Sequence, residues 1–178
     1  FDSVTPDMED PKELKKFLEL IRSLSAKGAI LAYHDRSDGG LAAALCEMMF
    51  ASHVGVEIVA DALVSKDRTL NQALYNEELG AVIQVARGRA AEVERDFEAA
   101  GMGWSLKYLG NLTQDDHLNI YLEGKCVLSE DRVDLQKAWN EVSWQIARMR
   151  DNPECVDSEY ELISDKHNGG LVLTMGFD

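Results

Sequence analysis

The chain has 178 residues, of which 46% are hydrophobic and 28% are charged, and its formal net charge is −14 at pH 7. These values are ordinary for a globular protein that is long enough to bury a core of its own. A strongly negative surface repels nucleic acid and anionic membranes, which excludes both as expected partners. It leaves room for a nucleotide that is held by backbone amides and a metal ion.

Cysteine usage and the start of the chain indicate its compartment and context. The three cysteines are widely spaced and form no CxxC pair, so neither a disulfide framework nor a zinc site is predicted, and a reducing cytoplasm is the expected location. No apolar run in the sequence approaches the length of about 20 residues that a membrane helix needs. The acidic start, FDSVTPDMEDP, does not resemble a signal peptide and lacks an initiator Met, so we expect a piece of a longer protein.

Helices and strands alternate in the first part of the chain. Asp10-Pro11 opens a helix whose apolar residues recur at helical spacing, and Gly28 ends it. The sequence then predicts, in chain order, a strand (AILAYHD), a helix from about Leu41 to near His53, a strand (VGVEIVAD), a short helix within 65–76, a strand (GAVIQVA) and a helix (RGRAAEVERDFEAAGM).

Strands follow one another in the second part, and three of them are expected to lie antiparallel. Glu123-Gly124 suits a tight hairpin between the last two. The predicted elements are strands WSLKYLG (104–110), HLNIYLEG (117–124) and KCVLS (125–129), a long helix over 131–150, and a short helix within 151–163.

This order of elements predicts an α+β domain in which helices pack on one face of a mixed β-sheet. Residues 12–163 are expected to form that domain, residues 1–11 a linker, and residues 164–178 a tail. The tail contains HNGG, interpreted as a glycine turn, and then the alternating apolar run LVLTMGFD.

The stretch HDRSDGG at 34–40 concentrates polar groups between a predicted strand and a predicted helix. The first turn of a helix has free N–H groups that suit an oxyanion, and Gly39 and Gly40 carry no side chain that would block approach to them. Ser37 can donate its hydroxyl to a phosphate. Asp35 would repel a phosphate unless a Mg2+ ion lay between them, since Mg2+ binds one or two carboxylates together with phosphate oxygens. The stretch therefore predicts a phosphate site with its cation.

A purely structural role for the same stretch stays open. Ser37 or Asp38 could simply cap the helix, with the two glycines shaping the turn. Neither a GxGxxG nor a Walker pattern supports a phosphate site. Arg36 could pair with a phosphate or brace Asp38. The dipeptide His34-Asp35 invites comparison with metal-dependent phosphohydrolases, but the other histidines show no matching ligand spacing.

Three blocks of the sequence, in the same order, resemble one family. The blocks are YHDRSDGGL with the following CEMMFA, LYNEELGAVIQV at 74–85, and WQIARMRDNPECVDSEY at 144–160. Together they resemble the large, single-chain form of formylglycinamide ribonucleotide amidotransferase (phosphoribosylformylglycinamidine synthase), from about Val4 to Asp178. The synthetase region of that family resembles a duplicated aminoimidazole ribonucleotide synthetase, and this chain is similar to its second C-terminal-type subdomain.

The resemblance implies a fold like the C-terminal domain of aminoimidazole ribonucleotide synthetase and a part in an ATP- and glutamine-dependent ligase of purine biosynthesis. In that family, ATP activates the formamide oxygen of formylglycinamide ribonucleotide, and ammonia from glutamine displaces it to give the amidine. Asp35 matches a Mg2+-binding position and Ser37 an ATP-contacting position, in either a catalytic or a structural site for ATP or ADP. Other subdomains of the full-length chain are expected to complete the enzyme, so the isolated piece is expected to be inactive.

Several other residues could serve chemistry or structure. Glu77 and Glu78, in the NEELG segment, could bind a metal or could end a helix on a solvated surface. His34 could be functional or a hydrogen-bonded structural residue. Cys46 is interpreted as a core residue rather than a nucleophile. The rival to a nucleotide-binding role is a packing or scaffold subdomain with no ligand of its own, and a stand-alone phosphohydrolase is a third hypothesis.

Overall fold

The structure is a computed structural model that describes residues 7, 8 and 10–165. The helices within this part of the chain are α1 (Pro11–Ala26), α2 (Gly40–Ser52), α3 (Leu70–Tyr75), α4 (Ala90–Ala99), α5 (Arg132–Arg150) and α6 (Pro153–Glu161). The strands are β1 (Ile30–Asp35), β2 (Gly55–Val59), β3 (Ala81–Val85), β4 (Gly110–Thr113), β5 (His117–Leu122) and β6 (Lys125–Asp131).

Side-chain caps explain where several helices begin. The Asp10 carboxylate accepts the N–H of Lys12 at the start of α1, where Pro11 takes the first helical position. Helix α3 begins with a reciprocal capping box between Thr69 and Gln72. These polar residues bond backbone donors of the first turn that have no partner within the helix, so the helices begin at fixed positions.

The strands form two sheets. Strands β1 and β3 pair antiparallel as a two-stranded sheet. The other four have the order β4-β2-β5-β6, and β2 pairs parallel with β5 but antiparallel with β4. This sheet is mixed, and Val56, Ile58, Leu118 and Ile120 bury one of its faces against α2. The predicted α+β class is confirmed.

Two clusters of buried side chains form the core. The first joins α2 and α3 to the four-stranded sheet, and the second joins α1 to α4 and to the start of β1. The first cluster contains Leu41, Ala44, Leu45, Met49, Val56, Ile58, Ala60, Leu74, Val82, Leu118 and Ile120. The second contains Leu20, Leu24, Ala29, Val93, Phe97 and Met102.

The predicted strand over 104–110 is wrong. Residues Gly103–Ser105 form a short 3-10 helix, and the strand in this region begins only at Gly110. The physical reason is exposure, because Trp104 and Tyr108 lie exposed and the segment reaches a strand only at its end, where the Val59 N–H of β2 donates to the Leu109 carbonyl at 2.8 Å. The antiparallel expectation holds for the hairpin of β5 and β6. Strand β4 also runs opposite to β5, but β2 lies between them.

Helix α6 folds back along α5 through polar and aromatic contacts. The rings of Trp144 and Tyr160 stack with centroids 4.4 Å apart, and Trp144 Nε1 donates to Asp157 at 2.9 Å. Near the other end, the Tyr160 hydroxyl donates to the carbonyl of Lys137 at 3.0 Å. The end of α6 therefore lies beside the N-terminal half of α5.

The predicted limits of the linker, domain and tail stay predictions. The motifs HNGG and LVLTMGFD lie outside the described residues. Across residues 7, 8 and 10–165, none of the helices combines the length and apolar character needed to cross a membrane.

Candidate functional site

The polar stretch 34–40 lies where the sequence places it, between the end of β1 and the start of α2. Gly39 and Gly40 both have positive φ angles, 78° and 67°. This left-handed backbone is readily available only to glycine, so the two residues are needed to turn the chain from strand into helix. Gly39 occupies the N-cap position of α2, and no side-chain cap is formed there. Ser37 and Asp38 therefore do not cap α2.

The NEELG segment holds this turn in place. The Arg36 side chain donates from Nε to the carbonyl of Glu78 and from Nη2 to the carbonyl of Leu79, the latter at 3.0 Å. The Arg36 backbone N–H donates to the carbonyl of Gly80 at 2.9 Å. Burial is the largest cause that lowers the pKa of Arg36 below its usual value, and nearby Arg68 adds to it. The Arg36 side chain therefore binds backbone carbonyl groups of the NEELG segment and does not brace Asp38.

Glu77 reaches the N-terminal end of α2. Its Oε1 accepts the backbone N–H of Gly39 at 3.1 Å. A carboxylate at this position is favoured by the free amides and the dipole of the helix. The structure thus brings an anion from the chain itself to the end of α2 where a phosphate is predicted.

Gly40 is buried against the end of α3. A Cβ atom at Gly40 would approach the carbonyl oxygens of Leu74 and Asn76 to 2.7 and 2.8 Å, which is too close for any real Cβ. Gly40 is therefore required for backbone packing, whereas Ser37 and Gly39 lie exposed on the outer side of the turn.

Asp35 is exposed at the end of β1. Tyr33 and Asp35 point to the same side of the strand, and the Tyr33 hydroxyl donates to Asp35 Oδ1 at 2.6 Å. Burial, followed by this hydrogen bond to a carboxylate, raises the pKa of Tyr33 to about 12. The hydroxyl therefore stays protonated at neutral pH and fixes the orientation of the Asp35 carboxylate.

A cleft of about 2000 Å3 opens between the two core clusters, and Asp35 lies on its lining together with Tyr33, Arg36 and Glu78. Much of the lining is apolar and comes from both core clusters, including Met48 beside the first and Phe97 in the second. The predicted site residues therefore have different surroundings. Asp35 faces the cleft, whereas Gly40 lies in the packed contact with α3.

His34 is held between β1 and α2. Its Nε2 lies 2.9 Å from Glu47 Oε2, and its Nδ1 lies 2.7 Å from the carbonyl oxygen of Asp35. Both ring nitrogens have partners, which gives His34 a structural role beside the turn. The sequence suggests such a role for His34, but it does not identify Glu47 as the partner.

The side chains near Asp35 determine whether a Mg2+ ion could be bound in this part of the structure. Within the described residues, no group of three or more His, Cys, Asp or Glu side chains is arranged to hold a metal ion. Asp35 supplies one carboxylate on an open cleft. That is compatible with Mg2+, which often takes one or two carboxylates from protein and its other ligands from phosphates and water.

Sequence reasoning missed four partners in this region: Tyr33, Glu47, the Glu77 carboxylate and the carbonyl groups of the NEELG segment. The first follows from β1 itself, because alternation places residues 33 and 35 on one side of the strand. The contact between Gly39 and Glu77 joins residues 38 positions apart, and nothing local signals it.

Comparisons with known proteins agree with this fold. Residues 1–123 match the model of the family described as AIR synthase related protein, C-terminal domain. The PurL protein of Thermotoga maritima in complex with FGAR has a TM-score of 0.63 at 17% identity, over 75% of this chain and 23% of that chain. The same protein in complex with ATP gives 0.61 at 16%, over 71% and 22%.

A third similar structure, the HypE–HypF complex, has a TM-score of 0.52 at 20% identity, over 64% of this chain and 39% of that chain. This chain therefore spans less than a quarter of the PurL protein that it matches. At these identities the structures establish the fold, while the family match covers more than half of the chain. The chain belongs to the AIR synthase related protein, C-terminal domain family.

Proposed function

We propose that this chain is one subdomain of a formylglycinamide ribonucleotide amidotransferase, the ligase that converts formylglycinamide ribonucleotide to the amidine in de novo purine biosynthesis. Family membership and a PurL-like fold support the proposal, since PurL of Thermotoga maritima has been solved with FGAR, ATP, ADP and AMPPCP. The three sequence blocks support the large, single-chain form. We also propose that this protein is located in the cytoplasm.

The observation that carries the proposal is the exposed Asp35 carboxylate on the cleft, at the end of β1 and one turn before α2. In the proposed site Asp35 binds Mg2+, and the Ser37 hydroxyl donates to a phosphate of ATP or ADP. Gly39 and Gly40 keep the turn free of side chains. A bound Mg2+ would neutralise phosphate charge, so that the carboxylate and the nucleotide can lie close together.

The rest of the reaction belongs to other subdomains of the full-length enzyme. In the proposed ligase, a phosphoryl group is transferred from ATP to the formamide oxygen, and ammonia released from glutamine displaces it. We expect the isolated 178-residue chain to form no amidine, because the glutaminase and the remaining half-sites lie elsewhere in that enzyme. Measurable amidine formation by this chain alone would contradict the proposal.

One observation favours the second candidate, a packing subdomain without a ligand. The amide of Gly39 is already bonded to Glu77, and the guanidinium of Arg36 is bonded to Glu78 and Leu79. A turn whose donors are satisfied by its own chain can be purely structural. Under this alternative the cleft would be covered by another subdomain rather than filled by a nucleotide.

Replacing Asp35 with Asn in the full-length enzyme separates the two candidates. The nucleotide site predicts loss of Mg-ATP-dependent activity, or of bound nucleotide, with the fold intact. The matched control is Asp38→Asn, because Asp38 is exposed in the same turn and has no role in the proposal. An enzyme that D35N leaves unchanged would support the packing subdomain. Phosphate release from nucleotides by the isolated chain would instead support a phosphohydrolase.

A further inference from the structure

In the described part of the chain, Tyr33 is the one residue that donates a hydrogen bond to the carboxylate of Asp35. The Tyr33 hydroxyl lies 2.6 Å from Oδ1 of Asp35, a length typical of an O–H group that donates to a charged oxygen. Each carboxylate oxygen has two acceptor positions. The contact with Tyr33 uses one position of Oδ1, so Oδ2 is the oxygen that keeps both positions open to a ligand.

The main chain around Asp35 is held in place by β3. Asp35 pairs with Ala81, and the following N–H, that of Arg36, donates to the carbonyl of Gly80 at 2.9 Å. With the backbone fixed in this way, rotation of the side chain is the main freedom that Asp35 retains. The hydrogen bond from Tyr33 restricts that rotation, and it therefore decides where Oδ2 points.

The negative charge of Asp35 is not used by cationic side chains of the described residues. Among residues 7, 8 and 10–165, no Lys, Arg or His side chain forms a salt bridge with Asp35. Arg36 donates to two backbone carbonyls of the NEELG segment, and His34 Nε2 lies 2.9 Å from Glu47. The two neighbouring cationic residues are thus bonded elsewhere, and they do not compete with a metal ion for Asp35.

The surroundings of Asp35 leave room for an ion with bound water. Antiparallel pairing places Ala81 opposite Asp35 and Ile83 opposite Tyr33, and residues paired in this way have their side chains on the same face of the sheet. All four residues line the cleft. Ala81 contributes only a methyl group beside the carboxylate. Such space suits Mg2+, which usually keeps several of its water ligands.

A carboxylate that is hydrogen-bonded at one oxygen distinguishes between divalent cations. Mg2+ demands a nearly ideal octahedron of ligands, whereas the larger Ca2+ takes six to eight oxygens and often binds both oxygens of one carboxylate. An Asp that presents one free oxygen therefore suits Mg2+ better than Ca2+. Hydrogen-bond partners of a metal ligand also matter for affinity, and their loss typically weakens metal binding about 10–100-fold.

We propose that Tyr33 is a positioning residue, which holds Asp35 as a ligand that binds through Oδ2 alone and thereby favours Mg2+ over Ca2+. The inference rests on the proposed nucleotide site and adds to it the selection of the ion. Tyr33 touches neither the ion nor the nucleotide. Residues 33 and 35 lie on one side of the same strand, so the pair is formed by β1 itself before an ion binds.

Tyr33→Phe in the full-length enzyme tests this role, because it removes the hydroxyl and keeps the ring. Metal is first removed with EDTA. Binding of Mn2+ in the presence of ADP is then followed by the EPR signal of free Mn2+, and Mg2+ and Ca2+ are compared by their competition with Mn2+. The site in question is the one that Asp35→Asn removes. Tyr108→Phe is the matched control, since Tyr108 also lines the cleft and makes no hydrogen bond through its hydroxyl within the described residues.

We expect Y33F to raise the dissociation constant of Mg2+ at that site about 10-fold and that of Ca2+ by less, while Y108F changes neither. An unchanged Mg2+ affinity in Y33F, with the site lost in D35N, would overturn the positioning role and leave the proposed nucleotide site standing. Equal losses of affinity for Mg2+ and Ca2+ would overturn the selection of the ion. If D35N kept every Mn2+ site of the wild type, the proposed site and this inference would both be wrong.

Discussion

The backbone N–H of Gly39 donates to Oε1 of Glu77 at 3.1 Å, so a carboxylate from the loop after α3 lies at the N-terminal end of α2. This contact links the two sequence blocks HDRSDGG and NEELG in space. It also defines a competition, because a phosphate that bound this end of α2 would have to share or displace the Glu77 contact. The role of Glu77 is therefore to complete the turn.

We expect Glu77→Gln to lower the free energy of unfolding by about 0.3–1 kcal/mol, which is the usual contribution of a negative charge at a helix N-terminus. The amide oxygen of Gln can still accept the Gly39 N–H, so the variant removes charge and keeps shape. Urea unfolding of the 178-residue chain measures the change at low ionic strength. Glu94→Gln, an exposed position on α4, is the control. Equal stability of wild type and E77Q would show that the contact has no electrostatic value.

Gly40→Ala tests the packing of the turn against α3. Alanine at φ 67° is strained by about 1–2 kcal/mol, and its Cβ would also meet the carbonyls of Leu74 and Asn76. Gly124→Ala is a matched control, since Gly124 has φ 72° with nothing within 4 Å of the added Cβ. We expect G40A to lose clearly more stability than G124A in urea unfolding. Equal losses of stability in G40A and G124A would mean that α3 can move away from the added Cβ at little cost in free energy.

The contrast between β1 and the segment at 104–110 shows what the sequence could predict. Hydrophobic periodicity and turn residues identified β1, α2 and the hairpin of β5 and β6, because those signals are local. WSLKYLG has the same alternation as a strand, but a strand also needs a neighbour within hydrogen-bonding distance. This segment reaches β2 only at its end, where the Leu109 carbonyl accepts the Val59 N–H and Gly110 pairs with Ile58.

In the candidate site, too, the local turn could be predicted from the sequence and the contacts that hold it could not. The turn at 34–40 was recognisable from its glycines and its position between a strand and a helix. The partners that fix it come from Glu47, Glu77 and Glu78, and those contacts depend on how β1, α2 and α3 pack together. Side chains that meet only through tertiary packing leave no periodic trace in the sequence.

Arg132 shows most clearly which residues cannot be identified from the sequence. Its side chain is fully buried, and its Nε and Nη2 donate to the two carboxylate oxygens of Asp116 at 2.6 and 3.2 Å. Nη1 donates to Gln136 at 2.6 Å. From the sequence, an arginine at the start of a helix suggests a solvated residue. The structure instead makes it the link between α5 and the turn before β5.

Arg132→Ala is expected to cost about 3–5 kcal/mol, because the buried Asp116 carboxylate loses the two hydrogen bonds and the positive charge of the Arg132 guanidinium. Lys15→Ala is the control, since Lys15 and Glu19 form an exposed pair at 3.9 Å, worth about 0–1 kcal/mol. Arg132→Lys should be nearly as destabilised as Arg132→Ala, because an ammonium group cannot reproduce the bidentate contact with the carboxylate. Thermal and urea unfolding measure all three variants. A loss for R132A as small as that for K15A would contradict a structural role for the pair.

Cys46 gives the last prediction, on alkaline pH. Burial, with Glu47 as a second cause, raises the pKa of the Cys46 thiol to about 11 from an ordinary value of 9.0. The folded state therefore keeps its proton at a pH where the unfolded chain has lost it. The associated stability is complete below about pH 9 and is lost as the pH rises through about 11.

The comparison of wild type with Cys46→Ala isolates this loss, because the variant has no thiol at 46 to titrate. We expect the stability of wild type relative to C46A to fall from about pH 9 to about pH 11, as measured by urea unfolding. Tyr33, whose pKa is also raised, titrates alike in both proteins and cancels in the difference. Alkylation at neutral pH supplies an independent check, in which the exposed Cys126 and Cys155 react well before Cys46. If Cys46 reacted as fast as those two, its thiol would be accessible and the expected alkaline loss would vanish with it.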